Sequence, residues 1–182
     1  MEIRFFEKQN QVLLREAANL LAEAFPHCYG DCTAEDMEEY LEDERILLMA
    51  VEDGHLAGLV GAMPQYDCAW ELHPLAVRKT CQHRGIGTML VRALEKECAE
   101  RGVLTIYLGT DDEFWQTSLS GTDLFEDTYN KIQNIKNLKD HPFEFYQKLG
   151  YRIVGVIPDA NGKGKPDIFM ARRIRTEEKE IS

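Results

Sequence analysis

The chain has 182 residues, 44% of them hydrophobic, which is enough for one well-buried α/β core and too few for two comfortable domains, so residues 1–182 are read as a single domain. Its net charge of -11 excludes a general nucleic-acid binder, which needs a basic face to displace counterions from phosphates, and favours a cationic partner. No apolar run approaches the roughly 20 residues of a membrane span and the first residues lack the blocks of a secretion signal, so a cytoplasmic protein without a membrane partner is expected.

Five cysteines, Cys28, Cys32, Cys68, Cys81 and Cys98, are an odd and scattered set and are read as reduced thiols. His27, Cys28 and Cys32 lie close in sequence but offer no second ligand pair at zinc spacing, so no metal is expected.

Taken in chain order, Ile3 to Glu7 is short and aromatic and is predicted as a first strand. Val12, Leu13, Ala17, Leu20, Leu21 and Ala24 recur at helical spacing, and Pro26 closes that pattern. Thr33 stands three residues before Asp36, a capping arrangement, so a second helix should follow with Met37, Tyr40 and Leu41 on its buried stripe. Ile46 to Glu52 and His55 to Met63 flank Asp53-Gly54 and predict a hairpin with a tight turn. Trp70 to Val77 is a further strand, Thr88 to Arg101 a long helix stopped by Gly102, and Val103 to Gly109 an apolar strand.

Residues 111–141 are predicted as polar loop with a short helix around Leu124 to Ile135. Pro142 opens another helix that Gly150 ends, Tyr151 to Val156 and Asp167 to Ala171 are the last strands, and 176–182 form a polar tail. A meander followed by strand-helix-strand units implies an α/β (α+β) fold, a central mixed sheet with helices on both faces.

Two acidic blocks stand out: Glu35, Asp36, Glu38, Glu39, Glu42, Asp43 and Glu44, and then Asp111, Asp112, Glu113, Asp123, Glu126 and Asp127. Their plain reading is a solvated face; the functional one is a site for a polycation. Between an apolar strand and an amphipathic helix lies Gln82-His83-Arg84-Gly85-Ile86-Gly87. Glycines there let backbone approach a ligand, and first-turn N–H groups with the helix dipole suit a pyrophosphate. In Trp70-Glu71-Leu72-His73-Pro74-Leu75, alternation puts Glu71, His73 and Leu75 on one face. Pro74 cannot donate to a ladder, so a bulge or splay is expected there.

Leu75-Ala76-Val77 followed by Gln82-His83-Arg84-Gly85-Ile86-Gly87 resembles the GNAT superfamily of N-acetyltransferases, in which a strand leads into Gln/Arg-x-x-Gly-x-Gly/Ala. Phe145-Tyr146-Gln-Lys-Leu-Gly150-Tyr151 is similar to that family's second signature. The resemblance implies the GNAT fold, with its sheet mostly antiparallel and splayed at the cofactor site, and acetyl-CoA as cosubstrate.

It also implies that backbone groups of Leu75 and Val77, flanking Ala76, meet the pantetheine arm. The amides from Gln82 through His83, Arg84, Gly85, Ile86 and Gly87 to Thr88 would then hold the pyrophosphate, with charge complementarity from Arg84. Tyr146 is the implied general acid near the thioester sulfur; its alternative is a core tyrosine beside Phe145. Many family members carry an Asn seven residues before this tyrosine; Lys139 stands there and Asn137 is out of register.

Met63 to Tyr66, Trp70 to Leu75, Leu108 to Asp112 and the Tyr146 segment together resemble, nearly end to end, the aminoglycoside 6'-N-acetyltransferases. That likeness implies that Glu71 contacts the amine and acts as base, that His73 flanks the reacting groups unless it is a structural histidine, and that Tyr66, Asp111 and Asp112 line the substrate site. Phe25 either borders the same pocket or belongs to the core. Relatives of this kind are commonly homodimers. A cysteine acyl carrier, Cys68 or Cys81, is the rival mechanism, without a histidine partner in sequence. A polyamine or protein amine is the alternative substrate, and a non-enzymatic acetyl-CoA binder the third reading.

Overall fold

The protein is described from a computed structural model over residues 1–7, 9–31, 33–42 and 46–174. The expectations for Cys32, for the side chains of Tyr40 and Leu41 and for the 176–182 tail fall outside the described parts. Two compact units divide the chain, Met1–Leu104 together with Ile174, and Thr105–Arg173.

The first unit contains β1 (Glu2–Phe5), α1 (Gln11–Ala24), α2 (Pro26–Tyr29), α3 (Ala34–Glu42), β2 (Ile46–Glu52), β3 (His55–Pro64), β4 (Ala69–Val77) and α4 (Ile86–Glu100). Its strands run antiparallel in the order β1-β2-β3-β4.

Asn10 caps α1, its side-chain oxygen accepting from the Leu13 N–H at 3.2 Å. The buried stripe of α1 is Leu13, Leu14, Ala17, Ala18, Leu20 and Leu21; Val12 and Ala24, expected on it, are exposed. Pro26 does not simply end the helical pattern. It is the first residue of α2, a position where its missing N–H has no acceptor to lose. Thr33 and Asp36 cap α3 reciprocally: the Thr33 N–H donates to Asp36 Oδ2 at 2.5 Å and the Asp36 N–H to Thr33 Oγ1 at 3.2 Å. Met37 faces inward as expected.

Asp53 (φ 52°) and Gly54 (φ 83°) form the hairpin turn with both central residues left-handed, which matches the twist of β2 and β3. Leu47, Met49, Val51, Leu59 and Ala76 meet α1, Tyr29 and Met37 in one apolar cluster. On the other face Gly58 leaves room for α4: an added Cβ would lie 3.1 Å from Leu90 Cδ1. Helices therefore cover both faces of this unit's strands.

The β3–β4 ladder pairs Val60 with Leu75 and Ala62 with Leu72, so His73 and Pro74 together oppose Gly61. The predicted irregularity at Pro74 is thus a one-residue bulge. It overturns one expectation, because an extra residue inverts the alternation beyond it. Directly paired residues share a face; Glu71 pairs with Met63 and Leu75 with Val60, and those two partners, three residues apart on β3, point oppositely. Glu71 and Leu75 therefore lie on opposite faces.

The second unit contains β5 (Thr105–Asp111), α5 (Thr128–Gln133), α6 (Phe143–Lys148), β6 (Arg152–Ile157) and β7 (Asp167–Arg173). Its strands are antiparallel in the order β5-β7-β6, with Asp111 opposite Asp167. The helix expected around Leu124 to Ile135 is shorter than predicted. Gly150, at φ 93°, follows α6 as the sequence required. Among the described residues no helix is long and apolar enough to cross a membrane.

Candidate functional site

Beyond Val77 the chain makes a 3-10 turn, Lys79–Cys81, and re-enters helix at Ile86. Gly85, at φ 81°, is the N-cap of α4 and His83 is also left-handed, at φ 59°. The helix thus starts two residues earlier than expected, so buried Ile86, half-buried Gly87 and exposed Thr88 form its first turn. First-turn N–H groups have no intrahelical acceptor and carry the positive end of the helix dipole. Exposed Gln82, His83, Arg84 and Gly85 lead into them, a backbone cradle suited to an anion such as a pyrophosphate.

The Gln82 side chain is folded back, Nε2 donating to the Val77 carbonyl at 3.0 Å. Arg84 departs from the expectation of an open positive charge. Its guanidinium forks onto the Glu52 carboxylate at 2.9 and 2.7 Å. Those bonds hold the Glu52 carboxyl below its ordinary value and push Arg84 higher still.

On β4, Glu71 is half-buried, and among the described residues its carboxylate has no hydrogen-bond or ion-pair partner. Burial alone pushes its carboxyl above the usual glutamate value. His73 shares the α1 face: its Nε2 lies 2.7 Å from the Tyr29 hydroxyl and the two rings stack at 6.2 Å. Tyr29 meets Phe25 edge-on at 6.1 Å, and Phe25, partly buried, packs against the apolar cluster. Tyr66 is 69% exposed, its backbone N–H closing the β3–β4 connection onto the Ala69 carbonyl at 3.0 Å. Ala76 is buried on the α1 face, and Leu75 sits with Val60 on the other.

Sequence reasoning missed the Tyr29–His73 pair, whose members are 44 positions apart. Tyr29→Phe keeps the ring stack and removes the hydroxyl. Urea unfolding should show a loss of about 1 kcal/mol, and an unchanged midpoint would mean that the bond contributes nothing net.

Cys68 is exposed, and Cys81 lies with its Sγ 3.8 Å from Thr80 Oγ1. Neither thiol has a histidine partner among the described residues. Among those residues no three His, Cys, Asp or Glu side chains gather as metal ligands.

In the second unit Tyr146 is buried in α6, edge-on to Phe145 at 5.0 Å and to Tyr151 at 5.8 Å. Burial raises its phenol well above the ordinary tyrosine value, so it keeps its proton at any ordinary pH. Asp111 is exposed and accepts a hydrogen bond from Asn161 Nδ2.

Asp112 does not line an open site. It is fully buried and its oxygens accept from the Gln116 N–H at 2.6 Å, the Thr117 N–H at 2.8 Å and the Thr117 and Ser120 hydroxyls at 2.7 and 2.5 Å. Burial pushes its carboxyl up, but these donors outweigh it and hold the pKa below the ordinary value. The physical reason for the correction is burial: the carboxylate is closed off from solvent and turned onto four donors of its own loop.

His141 is a second organiser that the sequence did not reveal. Its Nε2 donates to the Asp111 carbonyl at 3.1 Å while Nδ1 accepts from the Phe143 N–H at 3.2 Å. Burial lowers its pKa, consistent with a neutral ring in that tautomer. Asn137 clasps His141 through both its backbone groups, at 2.8 and 2.9 Å.

The profile of the Acetyltransferase (GNAT) family matches residues 14–117, more than half of the chain. This protein belongs to the GNAT acetyltransferases, and it has their fold. Over 97% of its length it is 51% identical, with a TM-score of 0.93, to a crystal structure of an aminoglycoside 6'-N-acetyltransferase complexed with coenzyme A, of which 98% is covered. The aminoglycoside 6'-N-acetyltransferase from Enterococcus faecium is also 51% identical, with a TM-score of 0.91 and coverage of 97% and 98% of the two chains. An aminoglycoside 6'-acetyltransferase of type Ii is 45% identical, with a TM-score of 0.76 over 97% of this chain and 99% of its own. Among curated protein sequences none matches.

Proposed function

We propose that the protein transfers the acetyl group of acetyl-CoA to the 6'-amine of aminoglycoside antibiotics, by direct attack in a ternary complex. The observation that carries this reading is the identity of 45–51% to enzymes of that name across 97% of the chain. The same coverage supports reading residues 1–182 as one GNAT domain. We further read the protein as a cytoplasmic homodimer that uses neither metal, nucleic acid nor membrane, and the activity as one that would confer resistance to these drugs.

The backbone cradle suits the diphosphate of coenzyme A: left-handed His83 and Gly85 lead into α4, and its N-cap, Gly85, makes no side-chain cap bond to the first-turn amides. Gln82, His83, Arg84, Gly85, Ile86, Gly87 and Thr88 would hold that group through backbone N–H groups. Leu75, Ala76 and Val77 would provide main-chain contacts to the pantetheine arm; the Val77 carbonyl already accepts one hydrogen bond from Gln82. Acetyl-CoA supplies an acyl group activated as a thioester.

An ammonium has no lone pair for attack, so the chain must both attract a cation and remove its proton. Glu71 suits both tasks, because a half-buried carboxylate without a partner gains most from a cation and most readily takes a proton. We assign it the role of base, directly or through water. His73, held by Tyr29, keeps its place beside Glu71 on β4. A backbone N–H near Leu75 would stabilise the oxyanion. Tyr146, whose phenol stays protonated, is assigned the role of proton donor to the leaving thiolate. Tyr66 and Asp111, both exposed, and the partly buried Phe25 remain substrate contacts in this reading.

The test is thiol release from acetyl-CoA with kanamycin, tobramycin, spermidine and a lysine peptide in parallel, the product mapped by mass spectrometry. Acetylation at the 6'-amine of the two drugs is expected. Turnover with spermidine or peptide alone would move the substrate to another amine, and none with any acceptor would leave an acetyl-CoA binder.

A further inference from the structure

The Glu52–Arg84 fork has no part in the roles assigned above. We propose that Glu52 is a positioning residue for acetyl-CoA, fixing the pyrophosphate-binding turn by holding the guanidinium of Arg84. The proposal rests on reading residues 82–88 as the cofactor element.

Arg84 stands between two left-handed residues, His83 at φ 59° and Gly85 at φ 81°. A non-glycine residue in that region is uncommon and persists where its surroundings over-determine it. Yet residues 82–85 are all exposed, so packing does not hold them. Two side-chain tethers do. Gln82 ties the start of the turn to the Val77 carbonyl, and Arg84 ties its end to Glu52.

The second anchor is rigid. Glu52 is the last residue of β2 and pairs with His55 across the tight turn at Asp53-Gly54. Two parallel bonds to one carboxylate fix the plane of the guanidinium as well as its distance, which a single ion pair does not. The fork therefore specifies where the backbone between His83 and Gly85 lies, and so where the amides that follow point.

A competing arrangement is that Glu52 merely draws Arg84 away from the phosphates, in which case its removal would release a cation and tighten binding. The two arrangements give opposite signs. With the full-length protein, the Kd for CoA by titration calorimetry and the KM for acetyl-CoA should both rise about two- to fivefold for Glu52→Ala, the range of a well-formed exposed pair, with kcat little changed. Arg84→Ala should match it, and the double variant should be no worse than either single one, because the two residues act through one contact.

Unchanged or tighter CoA binding in Glu52→Ala would overturn the proposal, as would a further several-fold loss when Arg84→Ala is added to it. Gly87→Val, which places a branched side chain in the first turn of α4, separates the two levels of the argument. If it binds CoA normally, the cofactor reading fails; if it binds weakly while Glu52→Ala is normal, only the role of Glu52 fails. Thermal melts of each variant establish that it is folded.

Discussion

Glu71→Gln is expected to lower kcat by about a hundredfold or more, the usual contribution of a general base, with CoA affinity nearly unchanged. The same substitution should raise the melting temperature at neutral pH. Both effects have one cause. The folded protein pushes the Glu71 carboxyl above its unfolded value by burial, without a partner to offset the lost hydration. A group whose folded pKa is raised contributes stability below its unfolded pKa and loses it as the pH climbs through the folded one, so at neutral pH the ionised side chain is a burden that glutamine lifts. The wild-type enzyme should accordingly show an acid limb in kcat/KM above the ordinary glutamate range, and the variant should lack that limb. Equal activity in variant and wild type would remove Glu71 from the mechanism.

Asp112→Ala is expected to cost about 3–5 kcal/mol, because it strands two backbone N–H groups and two hydroxyls that the carboxylate now satisfies in the interior. Against a total stability of about 5–15 kcal/mol that is a large share, visible as a lowered urea midpoint and as lost hydrogen-exchange protection at Gln116 and Thr117. The depressed Asp112 pKa also fixes a pH dependence. Its contribution is present above the ordinary aspartate value of 3.8 and disappears as the pH falls through the lower folded value. The wild-type protein should lose this part of its stability in acid, and the alanine variant should have none to lose. A substitution effect under 1 kcal/mol would mean that water replaces the carboxylate and that the loop does not depend on it.

Elements carried by local chemistry were legible in the sequence. Thr33 with Asp36, Asp53 with Gly54, and the glycines after α4 and α6 each act within a few residues, and each does in three dimensions what the spacing required. Boundaries were less so, because helical periodicity does not say which residue begins the buried stripe: Leu14 and Ala18 belong to it and Val12 does not. The cofactor turn was legible because glycine and a helix start sit next to each other in the chain. What the sequence hid depends on register or on distance. One extra residue in β4 was foreseeable from Pro74, but not that it would separate Leu75 from Glu71. Asp111 and Asp112 look alike in the chain, yet one is exposed and the other is the hub of a loop, a difference set by residues up to eight positions downstream.

The residue inserted opposite Gly61 has a consequence for how such an enzyme changes over time. In an uninterrupted strand, one phase governs every side chain, and selection on one end constrains the other. Here Trp70 to Leu72 and Leu75 to Val77 hold their phases against β3 independently, on either side of the interruption. The half carrying the acidic group can be revised for a new acceptor while the half leading into the glycine turn keeps its inherited pairing, so one strand has an adaptable portion and a conservative one.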